Sequence, residues 1–373
     1  MTTERPLRVA VIGADRDGRG FGARAHLPAV LAAPGVELAA VCTTRQETAD
    51  LAAERYGAER AYAGIESLVG DPEIDLITIA VRVRSHYPLA WTALKAGKMV
   101  YCEWPLGLNA LEARTLARLA QQTGVLTAVG TQGRFAPGIL YLQELLAQGF
   151  IGRPLFFHMT HLLPRFPVRS DHWLSAMEEE HSGALGVAAS HATDTLQAIL
   201  GPVVELSGYA ETLRPQDRYA DTGEAFAWTT MDTISYQARL QSGVSGTVHV
   251  SNLTTYQMGF RLDIFGEEGQ LTASAPYYVS YSPVRLQAAR TGAQEPEELS
   301  IPAEFYHVAG LEEASPGYNI SQALVALRRS WLSVEDFGPS FSDAYRLHRL
   351  VETVKRSWES RRWLAVPDDD GVV

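Results

Sequence analysis

The chain has 373 residues, 46% of them hydrophobic and 20% charged, and a formal charge of −11. That length is too great for one typical domain and comfortable for two. The acidic balance, without a Lys/Arg-rich run, argues against nucleic acid or an anionic membrane as a direct partner. No apolar run reaches the ~18 residues of a membrane span, and the first residues lack a signal-like apolar core. Cys42 and Cys102 each end an apolar β-like run and read as small core residues of a reducing compartment. A cytoplasmic protein is expected.

Leu7 to Ile12 reads as a short strand. A glycine-rich turn follows, then a helix from Ala23 to Ala33. Strand, glycine turn and helix form the usual opening of a nucleotide-binding fold. Glycines let the backbone approach a pyrophosphate, and a helix N-terminus offers it unpaired N–H groups. Here Gly13, Gly18, Gly20 and Gly22 lie in a loop longer than G-x-G-x-x-G, with Asp15, Arg16, Asp17 and Arg19 inserted. Val36 to Cys42 is the second strand. Dinucleotide folds often end this strand with an acid for the adenosine ribose. This chain has Thr43, Thr44 and Arg45 there, which favours NADP over NAD. Thr44 with Glu47 also fits a capping box for a helix from Gln46 to Tyr56.

Asp75 to Val81 is a near-continuous apolar run, as expected of a strand buried on both faces. A helix from Leu89 to Ala96, a strand from Met99 to Cys102, a helix from Ala110 to Gln122 and a strand from Val125 to Gly130 follow. This alternation predicts an α/β Rossmann domain, a doubly wound parallel sheet, over residues 1–130. The strand end E-W-P, Glu103 to Pro105, faces the ligand crevice of such a sheet. Beyond it the texture changes. Ile139 to Ala147 is helical, Leu155 to Leu163 a strand, and Ser182 to Gly201 a small-residue approach into a helix. Long alternating strands then run over Thr230 to Leu240, Gly243 to Leu253, Phe260 to Phe265 and Gln270 to Ala275. They predict a second, α+β domain over 131–373 with a large open, mostly antiparallel sheet. Ala289 to Pro302 reads as a surface loop. Tyr318 to Leu332 and Ser342 to Ser360 read as helices. Leu347, Leu350, Val351 and Val354 make an apolar stripe on the last, which is expected to pack back on the Rossmann domain.

Several motifs together carry a resemblance along essentially the whole chain. They are the glycine loop with His26, D-L-I-T-I-A-V-R-V-R-S-H with His86, K-A-G-K-M-V-Y-C-E-W-P, L-L-A-Q-G-F-I-G-R-P and S-H-A-T-D-T-L-Q-A-I-L-G. The sequence resembles the glucose–fructose oxidoreductase / inositol dehydrogenase (Gfo/Idh/MocA) family. The resemblance implies bound NAD or NADP and oxidation of a sugar or cyclitol hydroxyl. Two positions depart from the family pattern: Trp104 stands where the family has a Lys, and Val187 where it has an Asp. The stretches I-A-V-R-V-R-S-H-Y, E-W-P-L and Q-G-R-F-A-P-G-I-L are similar to the branch of the yeast galactose-regulon repressor, which binds the dinucleotide and is not known for catalysis.

An alcohol oxidation needs a hydride acceptor, which is the cofactor, and a base for the hydroxyl proton. In the family register His191 is the candidate base, and Asp194, one helical turn on, orients it or caps the helix. The cofactor is expected against Gly13, Gly18, Gly20, Thr43, Thr44, Arg45 and the backbone near Val81, with His86, Glu103 and Trp104 about the nicotinamide. Tyr87, His161, Arg165, His172 and Trp173 are candidate contacts of a carbohydrate-like substrate. No residue spacing suggests a metal site or a nucleophile elbow. The leading expectation is an NAD(P)-dependent oxidoreductase that forms a homodimer or homotetramer. The alternative is a catalytically silent dinucleotide-binding regulator with a protein partner.

Overall fold

Short runs of Val, Ile, Leu and Ala build the first sheet. Its strands are β1 (Leu7–Ile12), β2 (Val36–Thr43), β3 (Arg60–Ala63), β4 (Leu76–Ile79), β5 (Met99–Glu103) and β6 (Thr127–Gly130). They lie in the order β3-β2-β1-β4-β5-β6, all parallel. β4, β5 and β6 are buried at every residue, as continuous apolar runs between two helical layers must be. The strand order reverses between β1 and β4, and sheets of this kind bind ligands outside the carboxyl ends of the strands at that point. The structure, a computed structural model, describes residues 5–172 and 184–367.

The intervening helices are α1 (Leu27–Ala32), α2 (Gln46–Tyr56), α3 (Ile65–Val69), α4 (His86–Lys95) and α5 (Ala110–Thr123). α1 is entered through a wide helical turn, Gly22–His26. α5 carries its own start signal. The Asn109 side chain accepts from the Glu112 N–H at 3.0 Å, and the Glu112 carboxylate accepts from the Leu108 N–H at 2.8 Å.

The second sheet starts after α6 (Pro137–Ala147) with β7 (Pro154–Leu162), and α7 (Ser190–Leu200) leads to β8 (Val203–Glu211). A small hairpin, β9 (Gln216–Arg218) with β10 (Ala225–Ala227), stands apart. Then come β11 (Thr233–Leu240), β12 (Ser245–Ser251), β13 (Gly259–Gly266), β14 (Gly269–Ala275), β15 (Arg285–Arg290), β16 (Glu297–Leu299) and β17 (Leu364–Ala365). The nine-stranded order is β16-β15-β14-β13-β7-β12-β11-β8-β17, antiparallel except for the β7–β12 pair. Strand alternation separates its faces. On β7, Phe157, Met159 and His161 are buried, while Phe156 is 50% exposed and stacks on Phe265 across the sheet, centroids 4.4 Å apart.

The chain divides into two compact units. One runs up to Phe135 and adds Tyr306–Tyr345; the other is Ala136–Phe305 with the chain from Arg346. The first unit thus includes a segment, Tyr306–Tyr345, from well beyond residue 130. Helix α8 (Tyr318–Ser333) and not the last helix returns to the first core: Ile320, Ala323, Leu324 and Leu327 are at most 1% exposed within it. Each buried Leu there contributes about 1.5–3 kcal/mol. The last helix, α9 (Phe341–Ser360), does bury the expected stripe, but Leu350, Val351 and Val354 join the core of the second sheet. A stripe shows that a helix buries one face; it carries no information about what covers it. The sequence reading named no individual strand for β3, β8, β9, β10, β15, β16 or β17; of these, β3 and the β16 edge strand, inside the expected Ala289–Pro302 loop, are instructive. Both are short and half exposed, so neither shows a hydrophobic period.

The glycine loop sets one hard packing limit. A Cβ on Gly22 would lie 2.5 Å from the Gly13 carbonyl oxygen, so strand end and helix start meet backbone to backbone. Gly22→Ala is expected to destabilise the protein by about 1–3 kcal/mol, measured by denaturant unfolding. A stability equal to that of the parent would mean that the turn shifts freely.

Candidate active site

The first unit carries a cleft of about 820 Å³ at the carboxyl end of its sheet, within the usual range for a small-molecule site. Gly13, Asp15, Arg16, Thr43, Thr44, Arg45, Glu47 and Val81 are among its lining residues. Gly13 has φ +98° and would place a Cβ 2.6 Å from the Ala80 carbonyl, so only glycine keeps this corner open. Gly18 turns the loop at φ +75°, and Gly20 stands behind Gly13. The inserted residues fold round Asp15, whose carboxylate accepts the N–H groups of Asp17 (3.1 Å) and Arg19 (3.0 Å). Burial raises its pKa, but these bonds outweigh it and hold the carboxyl below its ordinary value. The capping box of Thr44 and Glu47 does not form. The residue before α2 is Arg45, extended and without a side-chain cap, and Thr43 Oγ1 donates to the Arg45 carbonyl at 2.9 Å. Thr44 and Arg45 are exposed on the cleft wall, accompanied by the carboxylate of Glu47.

At the end of β5, Glu103 is buried and accepts from His26 Nε2 at 2.8 Å. Its carboxylate lies over Gly130, where a Cβ would meet it at 2.5–2.6 Å. His86 is 2% exposed; Nδ1 faces the Pro105 carbonyl at 2.6 Å and Nε2 the Val81 carbonyl at 3.1 Å. Burial lowers its pKa, so one ring nitrogen donates at a time. His86 therefore clasps the two loops that follow β4 and β5, with both ring nitrogens facing backbone. Trp104 is 6% exposed between these braces.

In the second unit, the end of β7, the start of α7 and the loop after β14 bring three polar side chains into one buried cluster. His161 is fully buried. Its Nδ1 donates to the Ala188 carbonyl at 3.4 Å, and its ring meets Tyr278 edge to face at 4.7 Å. His161 Nε2 has no hydrogen-bond partner among the described residues. His191 is 6% exposed, and its Nδ1 lies 3.0 Å from Ser280 Oγ. Burial lowers the pKa of each imidazole to about 4, and His161 adds to the effect on His191. Both rings are neutral at pH 7. Asp194 lies on the same helix and is buried. Val187 packs against the apolar core.

The other candidate substrate contacts do not join this cluster. Arg165 is a structural clasp: its guanidinium pairs with Asp232 at 2.5 Å, donates to the Arg214 carbonyl at 2.8 Å and lies over the Trp228 ring at 4.5 Å. Burial lowers its pKa, against the pull of Asp232 and Asp217. Tyr87 stacks on Trp91 along α4. His172 is exposed and pairs with Asp171 at 2.9 Å. Trp173 lies outside the described residues. Ser280 and Tyr278 escaped the sequence reading; Ser280 is 89 positions from His191 and meets it only in the folded chain. Arg165→Ala is expected to destabilise the protein by about 3–5 kcal/mol, because it strands the buried Asp232, which unfolding would measure. A rise in substrate KM with parental stability would restore Arg165 as a substrate contact.

Comparison with known proteins agrees with this geometry. Residues 7–131 match the family model described as "Oxidoreductase family, NAD-binding Rossmann fold", and residues 139–272 match "GFO/IDH/MocA C-terminal domain". An uncharacterised oxidoreductase of Synechocystis sp. is 28% identical over 99% of both chains. The scyllo-inositol 2-dehydrogenase (NAD(+)) of Bacillus subtilis is 26% identical over 72% of this chain and 74% of its own. The crystal structure of a super-repressor mutant of Gal80p from Saccharomyces cerevisiae superposes with a TM-score of 0.85 at 22% identity, over 97% of this chain and 98% of that one. At that identity the likeness is one of fold. The two family models together span well over half of the chain, which belongs to the Gfo/Idh/MocA family of oxidoreductases with an NAD-binding Rossmann fold.

Proposed function

We propose that the protein is a nicotinamide-dinucleotide-dependent oxidoreductase acting on a CH–OH group of a sugar-like or other polyhydroxylated small molecule. The observation that carries this reading is His191, a buried neutral imidazole in a chain whose first unit holds an open dinucleotide cleft. The cleft fits the cofactor: Gly13 leaves room for the pyrophosphate, and Thr44 and Arg45 stand uncapped on the wall. The bound nicotinamide supplies the hydride acceptor or donor. Glu103 and Trp104 flank it in this reading. His191 takes the hydroxyl proton as the carbonyl forms, and returns it in the reverse direction. The name of the Bacillus subtilis relative supports a cyclitol or sugar as the substrate class. The exposed sheet face around Phe156 and Phe265 is the surface we assign to self-association, in a dimer or tetramer.

Arg45 meets the adenosine ribose in this reading and favours NADP, while Glu47 on the same wall opposes a 2′-phosphate. Arg45→Ala is expected to weaken NADP binding by about tenfold and NAD binding by less, consistent with one charge-assisted contact. Isothermal calorimetry with both cofactors decides this; equal losses would remove Arg45 from the phosphate. Failure of the parent to bind either cofactor at millimolar concentration would end the oxidoreductase reading.

His191→Asn keeps polarity and much of the size. It is expected to lower kcat by roughly a hundredfold or more while leaving dinucleotide affinity unchanged. In the parent the base is active when deprotonated, and its pKa is lowered to about 4. The acid limb of kcat/KM therefore falls near pH 4 and not near 6.5. An acid limb at the ordinary histidine value would assign the proton to another group.

The second reading is a regulator that binds dinucleotide without turnover. Trp104 and Val187 favour it, since neither can titrate; Trp104 is buried and Val187 packs against the apolar core. Tight cofactor binding together with no turnover of any sugar, cyclitol or keto substrate would select it.

A further inference from the structure

Resting on the assignment of His191 as base, we propose that Ser280 is its positioning residue: it accepts the Nδ1 proton and so leaves Nε2 as the bare nitrogen that meets the substrate hydroxyl. A neutral imidazole carries one proton on two nitrogens, and the hydrogen bond of one nitrogen fixes the state of the other. Ser280 Oγ lies 3.0 Å from His191 Nδ1, and Ser280 is 0% exposed, so water does not compete for that contact. A hydroxyl can either donate or accept. If Ser280 donated, Nε2 would carry the proton, and His191 could not take another without becoming charged at Nδ1 against a donor. If Ser280 accepts, Nε2 is free to act as base.

The aromatic neighbours of the pair are uncharged at pH 7. His161 is neutral, with Nδ1 committed to the Ala188 carbonyl, and Tyr278 is buried, with its pKa pushed well above the ordinary value by burial. The step then balances. The substrate C–H bond gives its electron pair and hydrogen to an oxidised nicotinamide dinucleotide. The O–H proton passes to His191 Nε2, and the carbon–oxygen bond becomes a carbonyl. The resulting imidazolium keeps its Nδ1–H on Ser280 Oγ, so the new charge has an acceptor already in place and nothing has to rotate.

The state of the ring can be read directly, without turnover. In the full chain labelled with 15N-histidine, the His191 signals are identified by their loss in His191→Asn. The parent is expected to show a protonated Nδ1 and a bare Nε2. Ser280→Ala is expected to lose this single tautomer and to lower kcat by about tenfold or more, with KM and dinucleotide affinity held. Ser280→Thr, which keeps the hydroxyl, should restore both the tautomer and most of the rate. A protonated Nε2 in the parent overturns the proposal without any variant. So does a Ser280→Ala protein with the parental tautomer and rate, where His191→Asn is inactive. If His191→Asn turns over as fast as the parent, the base assignment itself falls, and this proposal falls with it.

Discussion

The ligand end of the first unit depends on one buried carboxylate. Glu103 ends β5, accepts from His26 at the entry to α1 and lies against the bare α-carbon of Gly130 at the end of β6. Three chain segments that are far apart in sequence are thereby held at one level. Removing either partner of such a buried pair leaves the other desolvated, a penalty of about 3–5 kcal/mol. His86 adds a second tie between the loops after β4 and β5. Trp104 follows Glu103 directly and is buried, so a large apolar ring fills the end of this strand.

The second unit meets a different constraint. Its sheet must bury one face, and that face includes two imidazoles and a serine. The fold tolerates them because the rings stay neutral and each Nδ1 has a partner, His161 on a backbone carbonyl and His191 on Ser280. A charged ring in the same place is disfavoured by its loss of solvent, which is why burial lowers both pKa values. The arrangement is suited to moving a proton at one nitrogen while the rest of the cluster stays fixed. By contrast, the charged residues nearby serve the architecture. Arg165, Asp232 and Asp217, with Trp228 beneath, fasten the β9–β10 hairpin to the sheet.

Much of this was legible in the sequence. The glycine loop, the alternating apolar runs and the motifs about His86, Glu103 and His191 carry the parallel sheet, the open second sheet and the family. These features are local, and a strand buried on both faces or a helix with an apolar stripe has to show its period in the residues themselves. Arg165 and His172, both ion-paired within the chain, show a complementary limit. Residue type alone does not separate a ligand contact from an ion pair, since both need the same charged group near a surface.

The sequence by itself determined the strongly patterned elements, their order and the chemistry available to them. Only the tertiary structure decided which faces meet. The stripe of α9 was plain, yet its partner is the second core, because an apolar face specifies burial and not its cover. The capping box at Thr44 was equally well formed as a pattern, but the backbone at Arg45 stays extended and leaves Thr44 on the cleft wall. Ser280 reached His191 only through the fold, which brings residues 89 positions apart into contact and leaves no trace in local spacing. Contacts of that kind come from long-range pairing, whose geometry is fixed when the sheet closes and not before.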